Sequence, residues 1–282
     1  MKLRSLLFVP GDRPERFDKA AASGADAVIL DLEDSVASAN KGKARDAVAC
    51  WVGENAGLTT RIIRVNPIDS GLLDADLDAI LGAGADALML PKAEGAASVR
   101  ALCDMMQGSA IPILPIASET PAAVFQLGSY AEVADRLCGL TWGAEDLPAA
   151  IGAATSREAD GRYTPPYEVV RSLTLFGAHA AGVPAIETVF PAIDDTDGLA
   201  TYAARGRRDG YVGMMAIHPV QVPTINAAFT PDEAEIAHAR AVIAAFEANP
   251  DAGVLQLDGK MIDRPHIKQA ERVLALAGVT AD

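Results

Sequence analysis

The chain has 282 residues, half of them hydrophobic, and a formal net charge of −14 at pH 7. This composition predicts a folded protein with a large core, and the acidic balance excludes nucleic acid and anionic membranes as partners, because both need a basic footprint. The three cysteines form no CxxC pair, the first apolar stretch is too short for a signal-peptide core, and no run approaches the length of a membrane span. These features predict a cytoplasmic protein without structural disulfides.

Eight short apolar runs recur along the chain, and several of them end in a charged or polar residue. They cover residues 6–9, 28–30, 61–63, 88–90, 113–116, 137–140, 185–190 and 212–219. Continuous apolar runs of this length are typical of strands that are buried on both faces of a parallel sheet. Because they alternate with Ala-rich helical stretches, they predict an α/β fold, a (β/α)8 TIM barrel whose active site lies at the carboxyl ends of the strands.

A glycine precedes several of these runs at the point where a helix should end. Gly24 and Gly84 open the same tetrapeptide, Gly-Ala-Asp-Ala, and Gly182 and Gly210 precede the seventh and eighth runs. Glycine readily takes the left-handed position that ends a helix. The repeat therefore predicts helix-to-strand turns and carries no information about a substrate.

The residues after the eighth run are predicted to form an appendage to the barrel. A long helix should follow, with Thr230 as its N-cap and Pro231 at its first position. The last helix should begin at Pro265. We therefore predict two domains, a catalytic barrel over residues 1–229 and a C-terminal helical lid extension over residues 230–282.

Glu119 and Asp146 follow the fifth and sixth runs, which are neighbours in a barrel. Two carboxylates with space for water and substrate oxygens are the usual protein ligands of Mg2+. The alternative is that each side chain caps the helix that follows it, since acidic residues are favoured there. The sequence leaves both interpretations open.

Arg64 ends the third run and is the main candidate for binding a substrate carboxylate, because a guanidinium can donate two parallel hydrogen bonds to it. The alternative is a structural ion pair with Asp31 or Glu33, and both roles can coexist. Glu33 and Asp34 are candidates for contacting metal-bound water or substrate, or for orienting Arg64.

Lys92 follows the fourth run and suggests a Schiff-base aldolase, since some barrel enzymes use such a lysine after burial lowers its pKa. Nearby carboxylates should instead raise the pKa of Lys92. We therefore favour a cation that balances the acidic groups over an imine-forming lysine.

Other motifs exclude common cofactors. His218 is the one histidine at a run end, with no second histidine at ligand spacing, so we expect a structural role and no zinc site. Residues 82–84 precede a strand instead of following one, which argues against a dinucleotide site. Residues 258–261 lack the first glycine and the Ser or Thr of a phosphate loop. Residues 254–263 are not predicted to be a ninth barrel strand.

A set of motifs in a fixed order resembles one enzyme family. The motifs are Arg4–Gly11, Asp31–Val36, Arg64–Asn66, Gly143–Leu147, Ile217–Pro219 and Asp258–Asp263. Together they are similar to the citrate lyase β-subunit-like proteins of the HpcH/HpaI aldolase group, which includes malyl-CoA and citramalyl-CoA lyases. The resemblance covers essentially the whole chain.

The resemblance implies a Mg2+-dependent lyase that acts on an acyl-CoA thioester and a small 2-oxo acid. It implies that Glu119 and Asp146 are the metal ligands and that Arg64 binds the substrate carboxylate. It also implies that Asp263 is a catalytic acid/base on a lid that closes over a neighbouring subunit, in a homotrimer or a dimer of trimers. Only the resemblance gives Asp263 a role.

The expected reaction is the reversible Claisen-type cleavage of malyl-CoA or citramalyl-CoA to glyoxylate or pyruvate and acetyl-CoA. Citrate lyase β-subunit and malyl-CoA thioesterase activity are the alternatives, with an accessory subunit or a ligand-binding regulator as rivals of another class. The chain departs from the family pattern at two places, and the second, which lacks a basic residue near the site, bears on the thioester that is accepted. Glu187 stands where Asp is frequent, and Met214-Met215 where Gly-Lys is common.

Overall fold

Eight parallel strands form the centre of the fold in a computed structural model that describes residues 1–279. The strands are β1 (Ser5–Pro10), β2 (Ala27–Asp31), β3 (Thr60–Arg64), β4 (Ala87–Leu90), β5 (Ile113–Pro115), β6 (Leu140–Thr141), β7 (Ala185–Glu187) and β8 (Gly213–Ala216). Their hydrogen-bonded order is β5-β4-β3-β2-β1-β8-β7-β6. Single parallel bridges, Ile113 to Leu137 and Ile116 to Thr141, connect the two edges. The sheet is thus nearly closed as a barrel, which confirms the predicted fold class.

Helices connect the strands. They are α1 (Phe17–Ala21), α2 (Lys41–Glu54), α3 (Leu73–Ile80), α4 (Ala96–Met105), α5 (Pro121–Val124), α6 (Leu147–Ile151), α7 (Pro165–Ala180), α8 (Thr196–Asp209) and α9 (Val222–Ala228). Short 3-10 segments lie at Pro14–Arg16, Ser38–Asn40, Ile68–Ser70, Leu127–Arg136 and Pro219–Gln221. Gly24 and Gly84 have φ angles of +83° and +85°, as the helix-to-strand turns require.

Alternate strand residues fill the inside of the barrel. They form one buried cluster of Leu3, Leu6, Ala27, Ile29, Ile62, Ala87, Met89, Leu114, Ile116, Ile186 and Met215. Side chains two positions apart on a strand point to the same face. Asp31 and Arg64 therefore follow Ile29 and Ile62 on the inner face, where β2 and β3 end. The two residues are also register partners across these strands. The fold thus brings charged groups together at the carboxyl mouth of the barrel.

The chain divides into two compact units, Met1–Asn226 and Ala227–Asp282. The second unit contains α10 (Glu233–Glu247), an antiparallel hairpin of β9 (Val254–Leu257) and β10 (Lys260–Asp263), and α11 (Arg264–Ala277). Its core is a cluster of buried hydrophobic residues, namely Ala239, Val242, Ile243, Phe246, Ile262, Ala270 and Leu274. Residues 254–263 form this hairpin, so the expectation that they are not a barrel strand is confirmed.

Two local features of the second unit differ from simple sequence patterns. The N-cap of α10 is Asp232, and the prediction of Thr230 was wrong: Asp232 and Glu235 form a reciprocal capping box, which satisfies two backbone N–H groups. Asp258 and Gly259 have φ angles of +49° and +76°, so both central residues of the hairpin turn are left-handed. In the described part of the chain, the helices are all too short or too polar to cross a bilayer.

Candidate active site

The carboxyl mouth of the barrel contains an acidic cavity of about 360 Å³. Its lining consists of Phe8, Pro10, Asp31, Asp34, Ser35, Arg64, Ile116, Glu119, Gly143, Ala144, Glu145, Asp146, Thr188, Val189, Met215 and Ile217. Five of these side chains are carboxylates and one is a guanidinium. This excess of negative charge favours a bound cation over a purely anionic ligand.

Arg64 is fixed on one side of the cavity by Asp31. Its Nε and Nη2 donate to the two carboxylate oxygens of Asp31 at 2.7 and 2.6 Å. Burial disfavours the charged carboxylate, yet the hydrogen bonds and charge of Arg64 outweigh it and lower the pKa of Asp31. The guanidinium also lies over the ring of Phe8, with its central carbon 4.9 Å from the ring centroid. The structural ion pair expected as one role of Arg64 is thus present.

Glu33 connects Arg64 to Lys92. Its Oε2 lies 3.0 Å from Nη1 of Arg64, and its Oε1 lies 2.6 Å from Nζ of Lys92. Burial raises the pKa of Glu33, while the two cations act in the opposite direction. Asp34 is exposed and lies 3.7 Å from the same lysine nitrogen. Both acidic residues after β2 therefore reach the site, but Glu33 does so as a buried bridge between two cations.

Lys92 has the properties of a charge-balancing residue. Burial lowers its pKa, but the hydrogen bond and charge of Glu33 outweigh burial, so the pKa of Lys92 is raised, as predicted. A protonated amine is not a nucleophile, and this disfavours an imine mechanism. The backbone of Lys92 has a φ of +51°, and its N–H donates to Oε2 of Glu119 at 2.6 Å. Lys92 thereby also orients Glu119.

Glu119 is a buried carboxyl group beside other carboxylates. Burial raises the pKa of Glu119 to about 8, and the charges of Glu33 and Asp146 act in the same direction. The backbone N–H of Lys92 opposes them. A positive ion next to Glu119 would remove this cost, which makes the position suited to a metal ligand.

Glu119 and Asp146 do not cap helices through their side chains. Thr120 is the N-cap of α5, and its hydroxyl accepts the N–H of Ala123 at 3.1 Å. Asp146 lies at the N-cap of α6, but its side chain makes no capping hydrogen bond within the described chain. The capping alternative therefore fails for both residues, whose carboxylates remain available to a ligand.

Gly143 is essential to this arrangement, and sequence analysis missed it. A Cβ atom at this position would lie 2.7 Å from Cγ of Glu119 and 3.1 Å from its Oε1. The strand end after β6 can approach Glu119 only because residue 143 has no side chain. The glycine between β6 and Asp146 was the available signal.

Another buried carboxylate, Glu187, ends β7 and was noted in the sequence only as a departure from a family pattern. Its Oε1 accepts the indole N–H of Trp142 and the hydroxyl of Tyr202, and its Oε2 accepts Nε of Arg171 at 2.7 Å. Its partners come from positions far apart in sequence, so no local pattern could have identified them.

His218 and Asp263 are the remaining candidates. His218 accepts the backbone N–H of Val220 through Nδ1 at 3.2 Å, in agreement with a structural role. Asp263 belongs to the second unit, at the end of β10, and its Oδ1 lies 2.6 Å from Nδ1 of His266. Among the described residues, no group of three or more His, Cys, Asp or Glu side chains is arranged to hold a metal ion.

A nearly closed (β/α)8 barrel with paired carboxylates, a fixed arginine and a small cavity at its mouth has the arrangement of a barrel enzyme that acts on a small substrate. The family model described as HpcH/HpaI aldolase/citrate lyase matches residues 4–219. The chain therefore belongs to the HpcH/HpaI aldolase/citrate lyase family. This confirms both the family predicted from the motifs and the predicted enzyme class, a lyase.

Relatives and solved structures agree with this assignment. A citrate lyase subunit beta-like protein of Mycobacterium tuberculosis is 38% identical over 272 residues, which cover 96% of this chain and 94% of the relative. A (3S)-malyl-CoA thioesterase of Cereibacter sphaeroides is 35% identical and covers 99% of this chain and 95% of its own length. The CitE protein of Mycobacterium tuberculosis, in complex with magnesium, acetoacetate and coenzyme A, superimposes with a TM-score of 0.83 at 36% identity and 98% coverage of both chains.

Proposed function

We propose that this protein is a Mg2+-dependent CoA-ester lyase. It would cleave a 3-hydroxyacyl-CoA of the malyl-CoA or citramalyl-CoA type, reversibly, to glyoxylate or pyruvate and acetyl-CoA. The observation that carries this proposal is the juxtaposition of Glu119 and Asp146, both free of capping roles, in the cavity that Arg64 lines. The magnesium, acetoacetate and coenzyme A in the related CitE structure support it.

Glu119 and Asp146 would hold the Mg2+ ion. Two carboxylates fit this ion, which keeps several water or substrate oxygens as its other ligands. The buried Oγ of Ser118, next to Glu119 in the chain, has no hydrogen-bond partner among the described residues, as expected of a group that contacts bound water or ligand. When bound, Mg2+ would supply positive charge that stabilises the negative charge developing on the substrate oxygens.

Arg64 would bind the substrate carboxylate. A guanidinium has five N–H groups, and Asp31 accepts two of them. The N–H groups of Nη1 and Nη2 that do not face Glu33 or Asp31 would be available to the substrate, with Asp31 and Phe8 preventing rotation of the group. Glu33 and Asp34 would tune this contact, Glu33 through its ion pair with Arg64 and Asp34 from the exposed rim.

Asp263 would move the proton of the reaction. In cleavage, the β-hydroxyl would lose its proton to water, its oxygen would become the carbonyl of the 2-oxo acid as the bond between the α- and β-carbons breaks, and Asp263 would protonate the α-carbon of the resulting enolate. In condensation it would remove that proton. Its short contact with His266 supports a fixed orientation of the carboxyl group. We infer that it serves a neighbouring copy in a homo-oligomer, a trimer or a dimer of trimers.

An exposed apolar stripe supports assembly. Val169, Leu173 and Phe176 of α7 are 56%, 40% and 66% exposed and share one face of the helix. Complementation tests the shared site: Glu119→Ala keeps an intact Asp263, and Asp263→Ala keeps an intact metal site. Co-refolded mixtures should regain a fraction of the parental activity. Mixtures that stay inactive although hybrid oligomers form would contradict a site shared between copies.

The direct test of function is an assay of malyl-CoA and citramalyl-CoA with Mg2+, scored for both 2-oxo acid and free thiol. We expect equal amounts of 2-oxo acid and acetyl-CoA, and no reaction in excess chelator. Thioester consumption without 2-oxo acid would overturn the lyase assignment. Turnover that persists in chelator would overturn the metal role.

A second candidate is malyl-CoA thioesterase activity. The (3S)-malyl-CoA thioesterase relative, which is similar over 99% of this chain, favours it. Water attacking the thioester in the same cavity would release malate and CoA. The same assay separates the two candidates, because hydrolysis yields free thiol without glyoxylate.

We also propose that the protein works in a reducing compartment, the cytoplasm. Cys50, Cys103 and Cys138 are free thiols, which supports this location. Measuring the thiol content of the purified protein under native conditions tests it, and fewer than three reactive thiols after unfolding without reductant would contradict it.

A further inference from the structure

Glu187 has no place in the proposed chemistry, yet its carboxylate accepts four hydrogen bonds, as many as that of Asp31. It is completely buried at the end of β7. Its Oε1 accepts three hydrogen bonds, from Nε1 of Trp142, from Oη of Tyr202 at 2.9 Å and from the backbone N–H of Thr188 at 3.0 Å. A group with so many partners fixes whatever it is bonded to.

Two of these partners, Trp142 and Thr188, lie next to or within the lining of the active-site cavity. Trp142 directly precedes Gly143, Ala144, Glu145 and Asp146, all of which line the cavity. Thr188 and Val189 line it from the side of β7. One carboxylate therefore joins the segment that carries the proposed metal ligand Asp146 to the neighbouring wall.

The other carboxylate oxygen of Glu187, Oε2, is bonded to Arg171, which is itself fixed by further hydrogen bonds. Nε of Arg171 donates to its Oε2 at 2.7 Å, and Nη1 of Arg171 donates to Asp209 at 2.7 Å. Tyr211 also donates its hydroxyl to the carbonyl of Arg171 at 2.8 Å. Glu187 is thus held between α7, α8 and the strand ends, and it cannot shift without breaking several bonds.

The hydrogen bonds of Glu187 affect the position of Glu119 through Gly143. A Cβ on Gly143 would lie 2.7 Å from Cγ of Glu119, so the backbone after Trp142 is in direct contact with that side chain. Trp142 itself is buried and packs edge-on against Tyr163, with 5.0 Å between ring centroids. A small displacement of Trp142 would therefore change the distance between Glu119 and Asp146.

We propose that Glu187 and Trp142 are positioning residues for the metal site: the hydrogen bond from the indole N–H to the carboxylate sets where Asp146 lies relative to Glu119. This inference rests on the proposed function for the identity of the metal, but the positioning itself is a property of the metal-free protein. Outer contacts of this kind typically change metal affinity by about 10- to 100-fold when they are removed.

The test compares two variants that each remove one hydrogen bond to the same oxygen of Glu187. Trp142→Phe removes the donor next to the Asp146 segment, and Tyr202→Phe removes a donor on α8. Glu187→Gln is the third variant, and thermal unfolding checks that all three are folded. Mg2+ binding is measured by calorimetry, and kcat and KM are measured with the CoA ester.

We expect Trp142→Phe and Glu187→Gln to weaken Mg2+ binding by at least about tenfold and to lower kcat, with KM for the CoA ester changed by less than about threefold. Tyr202→Phe should leave Mg2+ affinity within about threefold of the parent. Equal losses of Mg2+ affinity in Trp142→Phe and Tyr202→Phe would indicate general destabilisation and overturn the proposal. Unchanged affinity in Trp142→Phe would overturn it as well.

Amide hydrogen exchange of the metal-free protein separates this proposal from the proposed function. Exchange over residues 143–146 should accelerate in Trp142→Phe and Glu187→Gln and stay at the parental rate in Tyr202→Phe. If the parent protein does not bind Mg2+, the metal assignment fails, and exchange alone decides the positioning claim. If exchange over residues 143–146 is unchanged in all three variants, the positioning claim is wrong.

Discussion

Glu119 and Glu187 are both buried glutamates at the carboxyl mouth of the same barrel, but their surroundings are opposite. Glu187 faces Arg171 and accepts hydrogen bonds at both of its oxygens. Glu119 accepts one backbone N–H and faces the carboxylate charges of Glu33 and Asp146. A buried carboxylate that is fully bonded stabilises structure, whereas one left beside other negative charges is suited to a positive ligand.

The largest expected effect comes from neutralising the carboxylates of the metal site. Glu119→Gln or Asp146→Asn should reduce turnover by at least about a thousandfold, because each removes half of the charge that holds Mg2+ while keeping the shape of the side chain. Steady-state kinetics and calorimetry measure the loss of turnover and of Mg2+ affinity. Parental Mg2+ affinity in both variants would rule out the metal assignment.

Neutralising Glu187 and neutralising Glu119 should have different effects on the free energy of unfolding. Glu187→Gln should lower the free energy of unfolding by about 3 kcal/mol, since it removes the fully buried counter-charge of Arg171 and leaves Asp209 to balance it. Glu119→Gln should not lower it in metal-free protein near neutral pH, because ionised Glu119 is disfavoured by burial. Denaturant titrations at pH 7 with a chelator measure both changes. A loss of similar size in Glu119→Gln would mean that its carboxylate is as well compensated as that of Glu187.

The pH dependence of stability sharpens this contrast. The folded-state pKa of Glu119 is about 8 against an ordinary value of 4.5, so the folded state holds the proton more tightly. The stabilising contribution of this raised pKa to the free energy of unfolding is fully present below pH 4.5 and is lost as the pH rises through 8. The metal-free parent should therefore lose more stability than Glu119→Gln between pH 5 and pH 8. Parallel curves for the two proteins would show that Glu119 titrates normally.

The difference between Glu119 and Glu187 also explains how much of the site could be predicted from the sequence. Arg64 directly follows an apolar run, and Glu119 and Asp146 come three and six residues after theirs. Parallel strands bring such ends together, so the sequence was enough to group them. The hydrogen bonds of Glu187 depend on Trp142, Arg171 and Tyr202, whose meeting requires the packed positions of β6, α7 and α8. Only the folded chain reveals them.

The role proposed for Asp263 could not be predicted from the residues around it in the sequence. Its residue type and position at the end of β10 carry no signal of chemistry, and only the family resemblance assigned it a role. The start of α10 shows a local limit of the same kind. Thr230-Pro231 matches a helix start, but Asp232 with Glu235 gives a reciprocal cap, and the second pattern determined the helix.

Arg64→Lys should have a smaller but still large effect on catalysis. A lysine can neutralise Asp31 but cannot donate to Asp31 and to a substrate carboxylate in the fixed plane of a guanidinium. We expect kcat/KM to fall by at least about tenfold with little change in Mg2+ affinity. A change of less than about threefold, which is under ~0.7 kcal/mol, would assign Arg64 to the ion pair with Asp31 alone.

The smallest effect is expected at Lys92, the cation that joins the acidic groups of the site. Its Nζ pairs with Glu33, and its backbone N–H, which any residue here would supply, orients Glu119. Lys92→Arg keeps the positive charge and the backbone donor, so kcat should stay within about tenfold of the parent. An imine mechanism would lose essentially all activity in this variant, because a guanidinium cannot form the covalent intermediate. Borohydride treatment in the presence of the 2-oxo acid gives an independent readout, since it would add the mass of the reduced adduct only if Lys92 were a nucleophile. Inactivation of the parent by borohydride, together with an inactive Lys92→Arg, would reverse the role assigned to Lys92.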